Sequence, residues 1–187
     1  MRNTLALLFV LICGFMFSQI SELSKIDKEV SNRYSKISKK DLRKFPEQSK
    51  LEMAKIEDYR NEEYRKVVAN IQKDEIKVDL NSIEKNPTKS AEFEGGINEF
   101  RKLLANNFDT SILESGTGTL KTEIQFLVDE KGIPSNVEAT GNSNLFSQVA
   151  IITLYRTLNN TKWKPAEKDG VAVKSVYKLP LTIQFSK

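Results

Sequence analysis

Apolar positions follow three rhythms along this chain. Thr4 to Phe17 is a nearly unbroken apolar run of 14 residues. Between Leu23 and Ile71 the apolar residues recur every three or four positions, and from Leu120 onward many recur every second position. Each rhythm predicts a different element: a short hydrophobic segment, amphipathic helices, and strands with one wet face.

The helical rhythm has two stripes. Leu23, Ile26, Val30, Tyr34 and Ile37 form one, and Met53, Ile56, Arg60, Tyr64, Val67 and Ile71 the other, with a charge inside its seam. Phe45-Pro46 separates them, because proline disfavours helix at the residue before it. The segment 20–86 is therefore expected to be a charged helical spacer or hairpin, with a homodimer through the stripe as an alternative. Ile76, Val78 and Leu80 alternate, as in a short strand, and Asn86-Pro87-Thr88-Lys89-Ser90 has linker composition.

The third region begins with a short helix at Gly95-Gly96, with Ile97, Phe100, Leu103, Leu104 and Phe108 on its apolar face. Leu120, Thr122, Ile124, Phe126 and Val128 then point one way, and Lys121, Glu123 and Gln125 the other. Asp129 to Gly132 supplies a hairpin turn, with Gly132 suited to positive φ. The next strand offers Ile133, Val137 and Ala139 to one face. A second helix carries Phe146, Val149, Ala150, Thr153, Leu154 and Leu158, with Asn142 or Ser143 as its cap. Alternation of this kind marks an antiparallel sheet, and a helix across its dry face gives a two-layer α+β domain.

The closing strand runs Ser175, Val176, Tyr177, Lys178, Leu179, Pro180, Leu181, Thr182, Ile183, Gln184. Tyr177, Leu179, Leu181, Ile183 and Phe185 are expected on the dry face, and Lys178, Pro180, Thr182 and Gln184 opposite. Pro180 has no N–H, so its strand belongs at an edge or a bulge. An exposed edge can accept a strand from a partner. Trp163 and Pro165 form a structural turn ahead of it, with Trp163 read as an apolar plug rather than a partner contact.

Composition narrows the chemistry. The 187 residues contain no histidine and one cysteine, Cys13. If the N-terminal run is removed, Ser-His and Cys-His catalysis, His/Cys zinc sites and disulfides are excluded. No catalytic, cofactor-binding or metal-binding residue is assigned; no small-molecule substrate and no nucleic acid is expected. The net charge of +4 comes from 29 basic and 25 acidic residues that read as interleaved, like a solvated helix surface.

The N-terminal run would span roughly 21 Å as a helix, short of a ~30 Å hydrocarbon core. With Arg2 ahead of it and Ser18-Gln19 behind, residues 1–19 read as a signal peptide. Export follows, with membrane anchoring or a lipid on Cys13 as the alternatives.

The ordered set Phe93-x-Gly95-Gly96, hairpin, helix, Trp163-Lys164-Pro165 and closing strand resembles the TonB C-terminal domain family, in its Phe-x-Gly-Gly-preceded form, over about residues 92–185. That resemblance implies a three-stranded antiparallel sheet with packed helices in residues 87–187. It also implies a periplasmic protein-binding function, in which the last strand (Ser175–Gln184 here) grips a segment of an outer-membrane receptor. In the family an inner-membrane motor supplies force through an anchor. This chain lacks a proline-rich spacer, and Asn107-Phe108-Asp109-Thr110 stands where a Tyr-Pro pair is common. The alternative is an exported stand-alone adaptor or structural envelope protein that transduces no energy.

Overall fold

The computed structural model describes residues 21–74, 78–113, 118–158 and 161–185. The N-terminal apolar run, Cys13, the Ser18-Gln19 junction, Ile76 and the loop residues Ser115 to Thr117 lie outside them. Among the described residues, no helix is long and apolar enough to cross a membrane. Two compact units divide the chain, Met1–Ile71 and Gln72–Lys187.

The first unit is a helical hairpin. Residues 21–35 are helical (α1), followed by α2 (Lys39–Lys44) and α3, which begins at Pro46 and runs to Asp74. Ser38 caps α2 by accepting from the Asp41 N–H at 3.1 Å. Proline opens α3, where its missing N–H costs no intrahelical bond. Leu23, Ile26, Val30, Ile56, Tyr64, Val67 and Ile71 are buried, as the stripes predict. Tyr64 donates to Asp27 and Tyr34 to Glu57, while the Arg33 guanidinium sits 3.5 Å from the Tyr59 ring centroid. Partner numbers rise on α1 as they fall on α3, so the two helices are antiparallel. Arg60, the charge inside the stripe, is 5% exposed and bonds Glu57. Met53 stays partly exposed at the stripe's near end.

The second unit holds a three-stranded antiparallel sheet of order β3-β2-β7. Its strands are β2 (Thr119–Val128), β3 (Pro134–Gly141) and β7 (Ser175–Gln184). Helix α5 (Asn144–Leu158) lies across β3 and β2, and α4 (Gly96–Asn107) packs on α5. This is the α+β arrangement expected from alternation. Two small ladders complete the unit. β1 (Glu92–Phe93) pairs with β4 (Trp163–Lys164), and β5 (Ala166–Lys168) pairs with β6 (Val171–Val173) through Asp169-Gly170. Asp169 and Gly170 have φ of 52° and 83°, the left-handed pair that a tight hairpin turn needs.

Buried residues occupy nearly the whole circumference of α5, including Phe146, Val149, Ile152, Leu154, Tyr155 and Leu158. A helix apolar on all sides has to be enclosed, here by the sheet and by α4. Its buried hydroxyls are satisfied: Thr153 donates to the Val149 carbonyl, Thr157 to that of Thr153, and Ser147 bonds Thr122 across to the sheet at 2.9 Å. Ser143 is the cap, accepting from the Phe146 N–H. Asn142, the other candidate, extends the sheet instead. Its N–H donates to the Lys121 carbonyl, its Oδ1 accepts from the Lys121 N–H, and its Nδ2 donates to the Thr119 carbonyl.

Three local expectations change. Leu80 belongs to a short 3-10 turn, Leu80–Ser82, and is exposed rather than strand-paired; Asp79 caps that turn through the Asn81 N–H. The expected boundary at 86/87 lies within the second unit, and the segment there is held. Thr88 and Lys89 donate backbone N–H groups to the Glu167 carbonyl, and Lys89 accepts one back from Glu167. Ile133 does not share a strand face with Val137, because Asn136 (φ 53°) is an extra residue that shifts the β2–β3 register between Gln125 and Leu127. A bulge inverts the alternation after it.

Candidate functional site

The edge strand β7 is positioned from beneath by an aromatic cluster. Trp163 is buried at its centre, with ring centroids at 4.9 Å from Tyr177, 5.0 Å from Phe100, 5.1 Å from Phe126 and 5.8 Å from Phe93. The β1–β4 ladder sets Phe93 opposite Trp163, so the Phe-x-Gly-Gly segment and the Trp-Lys-Pro segment are partners in space. Edge-to-face contacts of this geometry add about 0.5–1.5 kcal/mol each beyond burial. Trp163 is a buried aromatic hub, and Pro165 separates β4 from β5.

β7 pairs with β2 along its full ten residues, from Thr119↔Gln184 to Val128↔Ser175, without a register break. The phase of the ladder follows from one bond beyond its end: the Phe185 N–H donates to the Gly118 carbonyl at 3.0 Å. In an antiparallel pair, such bonded positions alternate with unbonded ones. The odd-numbered residues of β7 therefore turn their backbone groups toward β2, and the even-numbered ones turn theirs away. On the far side of β2, the Asn142 N–H bonding the Lys121 carbonyl gives the same phase independently.

The outward set is Val176, Lys178, Pro180, Thr182 and Gln184. Their side chains are exposed, whereas Ser175 and Leu179 are buried and Tyr177, Leu181 and Ile183 half-buried. Pro180 falls in this set, so its missing N–H costs the β2 ladder nothing. It leaves the edge with four outward N–H groups and five outward carbonyls. All ten residues read from the sequence as a partner-strand edge lie on this one strand, divided between its two sides.

The opposite edge, on β3, is less regular. It is broken by the Asn136 bulge. The wet face beside β7 is polar, with Lys178 Nζ 3.4 Å from Glu123 Oε1 and Gln125 donating to Glu138 at 2.8 Å. Ion pairs this exposed contribute little to stability. Burial, and secondarily the Glu92 charge, raise the pKa of the Tyr177 hydroxyl above its usual 10.0, against an opposing pull from Arg101.

Among the described residues, no group of three carboxylate or thiol side chains could hold a metal ion. Missing from the sequence reading was the side of β7 that faces outward. The signal was present in Pro180, since a proline in a paired edge strand must direct its nitrogen away from the neighbour. No family model, curated protein or solved structure matches this chain.

Proposed function

We propose that the second unit is a TonB C-terminal-like protein-binding domain of the periplasm. It takes an extended segment of an outer-membrane or other envelope protein as an added strand along Ser175–Gln184. The observation that carries this reading is the long unbroken outer edge of β7, whose outward residues are exposed and whose inward residues hold the core. Main-chain bonding of this kind supplies affinity, and side chains beside the edge supply preference. The joining of Phe93 to Trp163 adds support, because it unites two segments on which the family resemblance rests.

A second reading has its own support. Residues 21–74 form helices in a hairpin, not the extended proline-rich spacer of an energy transducer. That favours an exported adaptor that binds envelope proteins without supplying force.

Photo-crosslinking residues placed singly at Val176, Lys178 and Thr182 in the full chain test the binding site, with Glu138 as the control position. Crosslinks from the three β7 positions to outer-membrane receptors support transport-linked binding; crosslinks to other envelope proteins support the adaptor. Crosslinking at Glu138 alone, or at none of the four, overturns the edge-strand reading. The mass of the mature chain separates the two roles. Loss of residues 1–18 or 1–19 leaves no anchor to an inner-membrane motor, and retention of Arg2 supplies one.

A further inference from the structure

The positive charge of the first unit is gathered at one place, the turn between α1 and α3. Residues 21–35 hold three cations and three acids, and α3 holds six cations against seven acids. The intervening residues 36–45 hold Lys36, Lys39, Lys40, Arg43 and Lys44 against the single acid Asp41. The interleaved pattern expected from composition thus holds for the two long helices and fails at their junction.

The cations also differ in how they are used. On the long helices, Arg33, Lys50, Lys55, Arg60, Arg65 and Lys66 each pair with a carboxylate three or four residues away. None of the five at the junction forms an ion pair among the described residues. Arg43 donates to the Lys39 carbonyl, Lys44 lies 5.5 Å from the Phe45 ring centroid, and Asp41 is engaged by the Ser38 hydroxyl. Within the same ten residues Leu42 and Phe45 are 41% and 48% exposed. A cleft of about 320 Å³ opens beside Phe45, with Lys36, Ile37, Asp41 and Glu52 also in its wall.

From this juxtaposition we infer that the turn of the helical hairpin docks on the surface of an anionic phospholipid bilayer. Lys36, Lys39, Lys40, Arg43 and Lys44 face the headgroups, and Leu42 and Phe45 enter the interface. Three features select a lipid surface. Four of the five cations are lysines, point charges suited to a diffuse layer of negative charge; a defined carboxylate or phosphate site would use the planar fork of arginine. Clusters of four to eight such cations are the recognised size for binding anionic leaflets. The exposed apolar pair lies among the charges, as an interfacial segment requires.

The test uses the full chain carrying Phe45→Trp, mixed with phosphatidylglycerol–phosphatidylcholine vesicles and with pure phosphatidylcholine vesicles. A reporter at position 45 reads contact by the turn itself, whatever the N-terminal run does. The expected result is a blue shift of the added emission, and its quenching by brominated lipid, on the anionic vesicles only. Added salt should reverse both. Combining Lys39→Gln, Lys40→Gln and Arg43→Gln should weaken that contact about a hundredfold, since each charge near such a surface contributes about fivefold. All three side chains are exposed, and an unchanged circular dichroism spectrum confirms the fold. Sedimentation of the chain with Phe45 retained, with and without the three glutamines, repeats the comparison without the reporter. Equal response on both vesicle types, no response on either, or full retention by the triple variant overturns the inference. So does an equal response to polyglutamate or to single-stranded nucleic acid in place of vesicles.

Discussion

Gly132 lies so close to Trp163 that a methyl group on its Cα would sit 2.0 Å from the Trp163 carbonyl oxygen. The glycine closes the β2–β3 turn at φ 77°, with its N–H donating to the Asp129 carbonyl. The Asp129 carboxylate receives the Lys131 and Ile133 N–H groups. One residue thus meets two independent demands, left-handed backbone and close approach of another strand.

Replacing Gly132 with alanine should therefore destabilise the second unit by about 3 kcal/mol or more, summing left-handed strain and overlap with backbone that cannot swing aside. Gly96 is the matched control: its φ is also 77°, but nothing lies within 4 Å of an added Cβ. Gly96→Ala should cost only about 1–2 kcal/mol. Urea midpoints of the two variants check the difference; equal losses would mean that the Trp163 carbonyl imposes no constraint.

Two proline substitutions at adjacent positions of β7 should behave differently. Thr182→Pro removes an outward N–H and should change stability by about 1 kcal/mol or less while abolishing strand addition. Leu181→Pro removes an inward N–H, leaves the Thr122 carbonyl without its donor and should cost about 2–4 kcal/mol. Thermal unfolding measures the stabilities, and crosslinking from position 178 measures binding. A Thr182→Pro protein that is folded and still crosslinks would rule out the edge.

Alkaline pH should expose Tyr177. Its hydroxyl holds its proton more firmly in the folded chain, mainly because burial disfavours the phenolate. The neutral form is then favoured by folding, so this contribution is complete below the unfolded value near 10.0 and is lost as pH rises through the folded value. Wild-type stability should fall across that window more steeply than that of Tyr177→Phe. Parallel curves for the two proteins would show that the site is as wet as an unfolded chain.

Much of this architecture could be read from residue periodicity. Leu120 to Val128 alternates so regularly that strand, face and sheet type follow together, and the stripe from Leu23 to Val30 is buried as its spacing requires. The failures have a common origin in backbone features that leave little trace in hydrophobic pattern. Asn136 takes a left-handed conformation and shifts a register, so Ile133 and Val137 part company. Asn142 could have capped α5, but its amide reproduces the hydrogen bonds of one more strand residue, a choice that depends on Lys121 lying opposite. The 86–90 segment has the composition of a linker and is nonetheless bound, because its partners are the backbone groups of Glu167. Arg60 interrupts an apolar stripe without breaking the helix pair, since Glu57 is one turn away to receive it.

The phase of β7 also bears on how such a protein can change over generations. Residues that hold the core and residues whose backbone groups turn outward alternate one for one along the strand, and no position belongs to both sets. Substitutions at 176, 178, 182 and 184 can therefore accumulate with little penalty in folding. Under the proposed binding role, recognition is free to drift toward new partners while the domain beneath it stays the same.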